Sequence, residues 1–288
     1  MWTLFEPVHT VAYFSPETRA AYEAAGLRGG WRGYFAGRSA PLGPVPAAPV
    51  VAAFYGFAPG LVAKAIPSAW QQLSPEKVIE ARLAGAVAVL SRLLNGAGPE
   101  SGGTATLDQV AEAAELLEAA VDRLDLPGRV LGAANAALPR PSEPLARLWH
   151  ATTVLREHRG DGHNAALLAA QVGGCESLVW RAASDVPREA LQPYRGWSDE
   201  EWHAAERRLI ERGWLDGDGR PTPAGVQEYG EIELSTDRSA AAPWQALGPA
   251  AVERLQELLA PIAVACHAAL PPAVPTGLPA PGTVPATA

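Results

Sequence analysis

The sequence predicts a mainly α-helical protein with two helical domains, the second of which carries a small β-hairpin. The same helix-start pattern, Ser followed by Pro-Glu, occurs at Ser15 and again at Ser74. Apolar residues then recur at the spacing of one helix face, and a proline-rich segment at 138–144 separates the two halves. With 288 residues, 48% of them hydrophobic and 19% charged, the chain is long enough for two domains with real cores.

The first predicted domain covers residues 1–137. A short helix begins after Ser15 and ends at Gly26. Residues 28–60 form a long interruption that is rich in Gly, Pro and aromatic residues. A longer helix follows Ser74, because the apolar residues behind it return every three or four positions.

Two capping boxes mark further helix starts, one in each predicted domain. Thr106 and Gln109 form the first, and residues 96–103 before it have the composition of a flexible loop. Ser198 and Glu201 form the second. In each box the two side chains bond to each other's backbone N–H, so the sequence fixes the first turn of these helices.

The second predicted domain covers residues 138–270. Its first helix is expected to break at Gly160, and a separate helix is expected over residues 164–181. Residues 249–270 form an amphipathic last helix. The tail at 271–288 is a Pro/Ala/Thr segment of low complexity, and we expect it to be disordered.

Residues 198–225 have the layout of a winged helix. The helix that begins after Ser198 ends at Gly213, and residues 214–221 form a compact β-hairpin, or wing. Thr222-Pro223 then starts another helix that extends to about Ala240. A helix, a hairpin and a second helix in this order are typical of winged-helix proteins.

The run RRLIERGWLDGDGRPTPAG, residues 207–225, resembles the recognition helix, wing and following helix of MarR-like winged-helix proteins. With YFAGRSAPLGPV at 34–45, FYGFAPGLVAKAIPSAW at 54–70 and EHRGDGHNAALLA at 157–169, most of the chain resembles an actinobacterial family of MarR-like helix-turn-helix proteins of unsettled function. The resemblance implies a homodimer, small-molecule sensing and binding in the DNA major groove.

The charge at the end of the predicted winged helix that would read DNA argues against the last of these roles. The recognition helix begins Ser198-Asp-Glu-Glu201, which sets three carboxylates against a polyanion, and the whole chain has a formal net charge of -8. Acids in a first helical turn also stabilise the helix through its dipole, so their presence does not require a functional explanation. Any DNA contacts are assigned to Arg207, Arg208 and Arg220, and nucleic acid is a disfavoured partner.

Composition excludes several other classes. The N-terminus has no basic region ahead of an apolar run, and no uninterrupted apolar segment is long enough to span a membrane, so we expect a cytoplasmic protein. The two cysteines, Cys175 and Cys266, lie far apart and outside any zinc-ligand spacing. The nucleophile-elbow, P-loop, zincin and Rossmann motifs are all missing from the sequence.

The densest polar cluster lies at residues 157–163. Asp161 could orient His163 as a general base, with His158 as a further ligand-binding residue, and two His with two acids could instead hold a divalent metal. Arg159 would repel a cation, so we assign no metal ligands. The competing interpretation is a polar helix end whose side chains cap the backbone.

A second candidate site is the glycine-rich loop at residues 33–43. An arginine among aromatic residues suits an anionic or aromatic ligand, so Arg38 and Tyr34 are candidate binding residues; alternatively, Arg38 ties down its own loop. Four more aromatic residues could line an apolar pocket, and each could equally be core: Tyr55, Phe57, Trp70 and Trp149.

Three functions follow as hypotheses. The first is a protein that binds a small organic molecule, built on a degenerate winged helix, with Arg38 facing Asp161 and His163 across one pocket. The second is a ligand-responsive MarR-type transcriptional regulator. The third is an enzyme of specialised metabolism that uses His163 as general base and Arg38 as anion anchor. The sequence indicates no particular cofactor.

Overall fold

The structure is a computed structural model that describes residues 1–95, 104–271 and 278–283. Over these ranges the chain is helical and contains no β-strand. The helices of the first half are α1 (Trp2–Phe14), α2 (Pro16–Ala25), α3 (Gly30–Ser39), α4 (Ala47–Ala53), α5 (Pro59–Ala65), α6 (Pro75–Leu94), α7 (Leu107–Val121) and α8 (Val130–Ala136). Those of the second half are α9 (Pro144–Ala169), α10 (Gly174–Ser184), α11 (Arg188–Arg195), α12 (Asp199–Glu211), α13 (Pro223–Ser239), α14 (Ala242–Leu247) and α15 (Pro249–Ala268).

The predicted helix starts are confirmed where a side chain caps the helix. Ser15 accepts a hydrogen bond from the backbone of Thr18, and Gly26 ends α2 with a φ of 100°, which an L side chain rarely adopts. Both capping boxes form, at the starts of α7 and α12. Local hydrogen bonds decide these boundaries, so the sequence was sufficient to predict them.

In the first half, one helix was not predicted and one prediction is wrong. The chain before Ser15 is a helix, α1, most of which is buried. The glycine-rich segment expected to be a loop contains α3, and the loop begins only at a 3₁₀ turn, Ala40–Leu42. Glycine lowers helix propensity, but at Gly33 and Gly37 an added Cβ would lie 3.0 and 2.1 Å from atoms of Tyr22, so tertiary packing requires these glycines.

The predicted break at Gly160 is also wrong, because α9 continues without interruption to Ala169. The expected helix at 164–181 is therefore the end of α9 followed by α10. The packing around Gly162 explains why a glycine occurs inside this helix. A Cβ there would lie 2.0 Å from Nη1 of Arg129 and 2.7 Å from Oγ of Ser239.

The small β-wing is not formed as a pair of strands. Within the described residues it is reduced to one antiparallel bridge between Leu215 and Pro221, with a backbone hydrogen bond from Asp216 N–H to the Arg220 carbonyl. Pro221 has no N–H to extend the ladder. The Asp216 side chain also accepts the N–H of Arg220 at 2.9 Å, which holds a tight turn in place of a longer hairpin.

Three hydrophobic clusters form the core. The largest packs α1 against α6, α7, α9 and α15, so it takes residues from both sides of the boundary at 137/138. A second lies within α9 to α13, and a third surrounds α3 to α6. Cys175 and Cys266 are buried in different clusters. The division into domains 1–137 and 138–270 stays a prediction.

Two predicted flexible segments fall largely outside the described residues. The loop predicted at 96–103 lies wholly outside them, as do residues 272–277 and 284–288 of the predicted disordered tail. In the helices that the structure describes, no segment is long and apolar enough to cross a membrane.

Candidate functional site

A cavity of about 900 Å³ lies between α1, α3, the aromatic segment after α4, and helices α9, α10 and α13. Its wall includes six of the residues singled out from the sequence: Tyr34, Arg38, Tyr55, Phe57, Asp161 and His163. The volume is in the range of about 300–1,000 Å³ that is usual for small-molecule sites. We call it the large cavity.

The polar side of the large cavity is built on Glu157 of α9. This carboxylate is 1% exposed and accepts two hydrogen bonds from Arg38, at 2.9 and 2.8 Å, and one from Arg156 at 2.8 Å. Burial alone would raise the pKa of Glu157, but the two guanidinium groups hold it well below its usual range. Glu157 is therefore ionised and fully paired.

Arg38 is held on every side. Besides Glu157, it donates to the hydroxyl of Tyr34, one turn earlier on α3, at 2.9 Å, and its guanidinium lies 4.2 Å from the ring centroid of Phe54. Its charge is thus already balanced within the protein. The structure supports the alternative in which Arg38 ties elements together, here α3 to α9, and leaves its role as anion anchor a prediction.

The apolar side of the large cavity is a cluster of aromatic rings. The ring of Phe57 lies 5.6 Å from Tyr34 and 5.9 Å from Trp31, between centroids, in tilted and edge arrangements. Phe54 lies 6.4 Å from Tyr34. Rings packed in this way form a rigid apolar surface beside the ion pairs of α9.

Asp161 and His163 both line the large cavity, but they do not form the expected pair. Asp161 accepts the backbone N–H of Gly132 at 2.8 Å, whereas Nδ1 of His163 lies 3.0 Å from Oγ1 of Thr236 and 3.7 Å from Glu233. The reason is the continuous helix: side chains two residues apart leave α9 in nearly opposite directions. Only a break at Gly160 could have aimed both at one point.

Burial shifts the pKa of each group in the direction that favours its neutral form. It raises the pKa of Asp161 to about 6, against the hydrogen bond from Gly132, and lowers that of His163 in spite of Glu233. A neutral imidazole beside a hydroxyl can accept or donate a proton near neutral pH. Within the described part of the chain, no three His, Cys, Asp or Glu side chains are grouped to hold a metal.

Three of the predicted ligand-binding residues lie elsewhere. Trp70 donates to the carbonyl of Val45 at 2.9 Å and packs in the third core cluster. Trp149 is buried in the largest cluster. The ring of His158 lies 3.0 Å from the carbonyl of Asp125. Their packing therefore accounts for these three without a ligand.

Sequence reasoning missed the contribution of α1. Trp2, Glu6 and Thr10 line the large cavity, and both Trp2 and Thr10 donate to the Glu6 carboxylate at 3.2 Å. Their spacing of four residues places them on one helix face. That spacing was visible in the sequence, but it carried information only once the segment was known to be helical. From α13, Glu233 was missed in the same way.

Helix α10 packs against α11 and against α12 next to the large cavity, an arrangement that resembles a helix-turn-helix unit, and we use that name for these three helices. The first turn of α12 exposes Asp199, Glu200 and Glu201. Of the candidate DNA contacts, Arg208 is paired with Glu176 and Arg220 with Asp218, while Arg207 is exposed.

Hydrogen bonds join the aromatic wall of the cavity to this unit. The hydroxyl of Tyr55 donates to the carbonyl of Val172 at 2.6 Å, and Trp197 Nε1 donates to the carbonyl of Gly56 at 3.1 Å. The N–H of Ala58 donates to the carbonyl of Arg195 at 2.8 Å. These bonds link the aromatic wall to the residues just before α10 and at the end of α11.

These features define a helical protein with a fold of the DNA-binding, helix-turn-helix type. A family model described as a helix-turn-helix family matches residues 1–274, and the chain belongs to that family. No curated protein and no solved structure matches the chain. The narrower MarR-like and actinobacterial resemblance stays a prediction.

Proposed function

We propose that the protein binds a small organic molecule in the large cavity. The observation that carries this proposal is the cavity itself, in which a packed aromatic wall faces a network of buried charges across about 900 Å³. An apolar site with a few fixed polar groups is the usual form of a small-molecule pocket. The ligand has an aromatic part against Tyr34 and Phe57 and a polar group toward the ion pairs of α9.

A fluorescent aromatic sulfonate, 1-anilinonaphthalene-8-sulfonate, tests the proposal. We expect saturable binding of one equivalent to the folded protein. Ala53→Trp and Ser177→Trp place a bulky side chain in the wall and should abolish the fluorescence increase. Val264→Trp is the matched control, because Val264 is exposed on α15 and does not line the large cavity. Equal binding by all three variants would mean that the probe binds elsewhere and would refute the proposal.

We further propose that α12 does not read DNA. Support comes from its acidic first turn and from the pairing of Arg208 and Arg220 with carboxylates. Contacts to base edges come from the N-terminal part of a recognition helix, where carboxylates repel phosphates. In this version the helix-turn-helix unit is a structural wall of the binding site.

The second candidate function is a ligand-responsive regulator. It is favoured by the hydrogen bonds from Tyr55, Gly56 and Ala58 to the helix-turn-helix unit. The test is fluorescence anisotropy with the DNA upstream of the protein's own gene, across a salt series, with and without the sulfonate probe. A salt-dependent affinity that Arg207→Ala lowers, and Arg254→Ala on α15 does not, would establish this function. If no such affinity for DNA is found, the proposal that α12 does not read DNA is supported.

Two further predictions concern partners and chemistry. A homodimer, implied by the family resemblance, predicts twice the monomer mass of 30.1 kDa in native mass spectrometry. The enzyme hypothesis uses His163, now with Thr236 and Glu233 as its neighbours. Native mass spectrometry of protein from its host would also show whether a ligand or cofactor is retained.

A further inference from the structure

A second, smaller cavity of about 300 Å³ lies between the end of α1 and helices α2, α3 and α6. It shares the rings of Tyr13, Phe14 and Tyr34 with the large cavity, so these rings separate two neighbouring chambers. Tyr22 and Trp149 complete its aromatic lining. A volume of this size is at the lower end of the range for small-molecule sites.

The wall of the small cavity contains a buried arginine with no ion pair. Arg82 of α6 is 5% exposed, and it donates to the carbonyl of Gly37 at 2.9 Å and to Asn135 Oδ1 at 3.2 Å. Among the described residues its Nε has no hydrogen-bond partner and Arg82 belongs to no ion pair, while its guanidinium carbon lies 5.3 Å from the ring centroid of Trp149. Burial lowers the pKa of Arg82, but a guanidinium stays charged in proteins. An unbalanced buried charge is costly, and an anion would relieve that cost.

A second polar group lies beside Arg82. The hydroxyl of Tyr22 makes no hydrogen bond to any described residue. Burial raises its pKa to about 12, so the hydroxyl keeps its proton and can donate. A Cβ added to Gly37 would lie 2.1 Å from this hydroxyl and 3.9 Å from Cδ of Arg82. The Tyr22 hydroxyl and the Arg82 side chain therefore both lie next to Gly37 on α3, and both residues line the small cavity.

The remaining charges of the wall do not balance Arg82. The cavity mouth carries Arg19 and Glu23, which pair with each other at 2.9 Å in an exposed position. The wall thus has one net positive charge, located deep in the cavity. A monoanion with an apolar ring fits this combination of one buried cation, one free hydroxyl and aromatic walls.

We propose that the small cavity is a second binding site for a small aromatic monocarboxylate, whose carboxylate is held between Arg82 and Tyr22 and whose ring packs against Tyr13 and Phe14. This site is independent of the ligand proposed for the large cavity. It assigns a function to the glycine face of α3, where Gly33 and Gly37 leave room for the Tyr22 ring.

The test is a ¹⁹F NMR titration of the full chain with 4-fluorobenzoate, with 4-fluorobenzyl alcohol as the neutral analogue. We expect saturable binding of the carboxylate and binding of the alcohol that is weaker by about tenfold or more, because a hydrogen bond to a charged group is lost. Equal binding of the two compounds, or no binding of 4-fluorobenzoate, would overturn the proposal.

Variants locate the site. Arg82→Gln keeps an amide that can donate to Gly37 but removes the charge, and it should abolish binding. Tyr22→Phe removes only the hydroxyl, so it tests the site even if Arg82→Gln fails to fold, and it should weaken binding about tenfold. Ser177→Trp, which fills the large cavity, should still bind 4-fluorobenzoate. Binding that survives in Tyr22→Phe but is lost in Ser177→Trp would place the probe in the large cavity and refute this inference, while leaving the sulfonate result to decide the first proposal.

Discussion

Removing the charge of Glu157 is the sharpest test of how the large cavity is built. In Glu157→Gln the side chain keeps its shape, but an amide replaces the carboxylate that accepts from Arg38 and Arg156. The amide nitrogen is a donor, so it faces a guanidinium donor. The buried Arg38 and the partly buried Arg156 lose their shared counter-charge at once, with Glu6 left as the remaining carboxylate near Arg156.

The magnitude follows from burial. The side chains of Arg38 and Glu157 are 8% and 2% exposed, so water cannot replace the lost partner. Breaking a buried pair by removing one member costs about 3–5 kcal/mol. We expect Glu157→Gln to lower the free energy of unfolding by about this amount, measured by urea denaturation with linear extrapolation.

The chain offers a matched control in Glu112→Gln. Arg254 holds Glu112 by the same two-pronged geometry, at 2.7 and 2.8 Å, but on the surface, where the side chains are 46% and 42% exposed. Solvent screens this pair, so its loss should change stability little. If Glu157→Gln cost no more than Glu112→Gln, the buried network would not hold α3 against α9 and the reasoning would be refuted.

Three further results are expected. Because burial raises the pKa of Asp161 from 3.8 to about 6, the folded protein holds a proton that the unfolded chain releases, and stability falls as pH rises through that window. Asp161→Asn should therefore gain about 2–3 kcal/mol relative to wild type between pH 4 and pH 7.5 in urea denaturation, and an unchanged difference would contradict the shift. Gly132→Ala should lower the melting temperature, because its Cβ would lie 2.9 Å from Cα of His158, whereas Gly217→Ala, which meets nothing within 4 Å, should not. If the protein is found to catalyse a reaction, His163→Ala should abolish the activity and Asp161→Asn should retain it, because Asp161 does not orient the imidazole. A rate assay in which Asp161→Asn loses activity and His163→Ala keeps it would contradict this assignment.

Local sequence was a good guide wherever a side chain bonds to its own helix end. The capping boxes at Thr106 and Ser198 form as expected, because their partners lie three residues away. The same reasoning failed at glycines, because long-range packing decides where they occur. Gly37 and Gly162 lie inside helices because a neighbouring side chain from elsewhere in the chain occupies the space of a Cβ, and no local pattern reveals that neighbour.

The candidate site shows the same division. The sequence indicated Arg38, Tyr34 and His163 through their chemistry and through glycine-rich surroundings, and the structure brings them to one cavity. It could not indicate that Arg38 would be neutralised by Glu157, 119 positions away. It also could not show that Arg82, an ordinary residue on a helical face, would be buried and, among the described residues, would bond to a carbonyl and an amide and not to a carboxylate.

By itself, the sequence determined the helical class, the starts of the helices that a side chain caps and the acidic first turn of α12, because these depend on periodicity and on contacts within a few residues. Only the tertiary structure decided which charges are balanced and where the two cavities lie. Burial and ion pairing are set by residues distant in the chain, and a side chain's chemistry is fixed by those neighbours as much as by its identity.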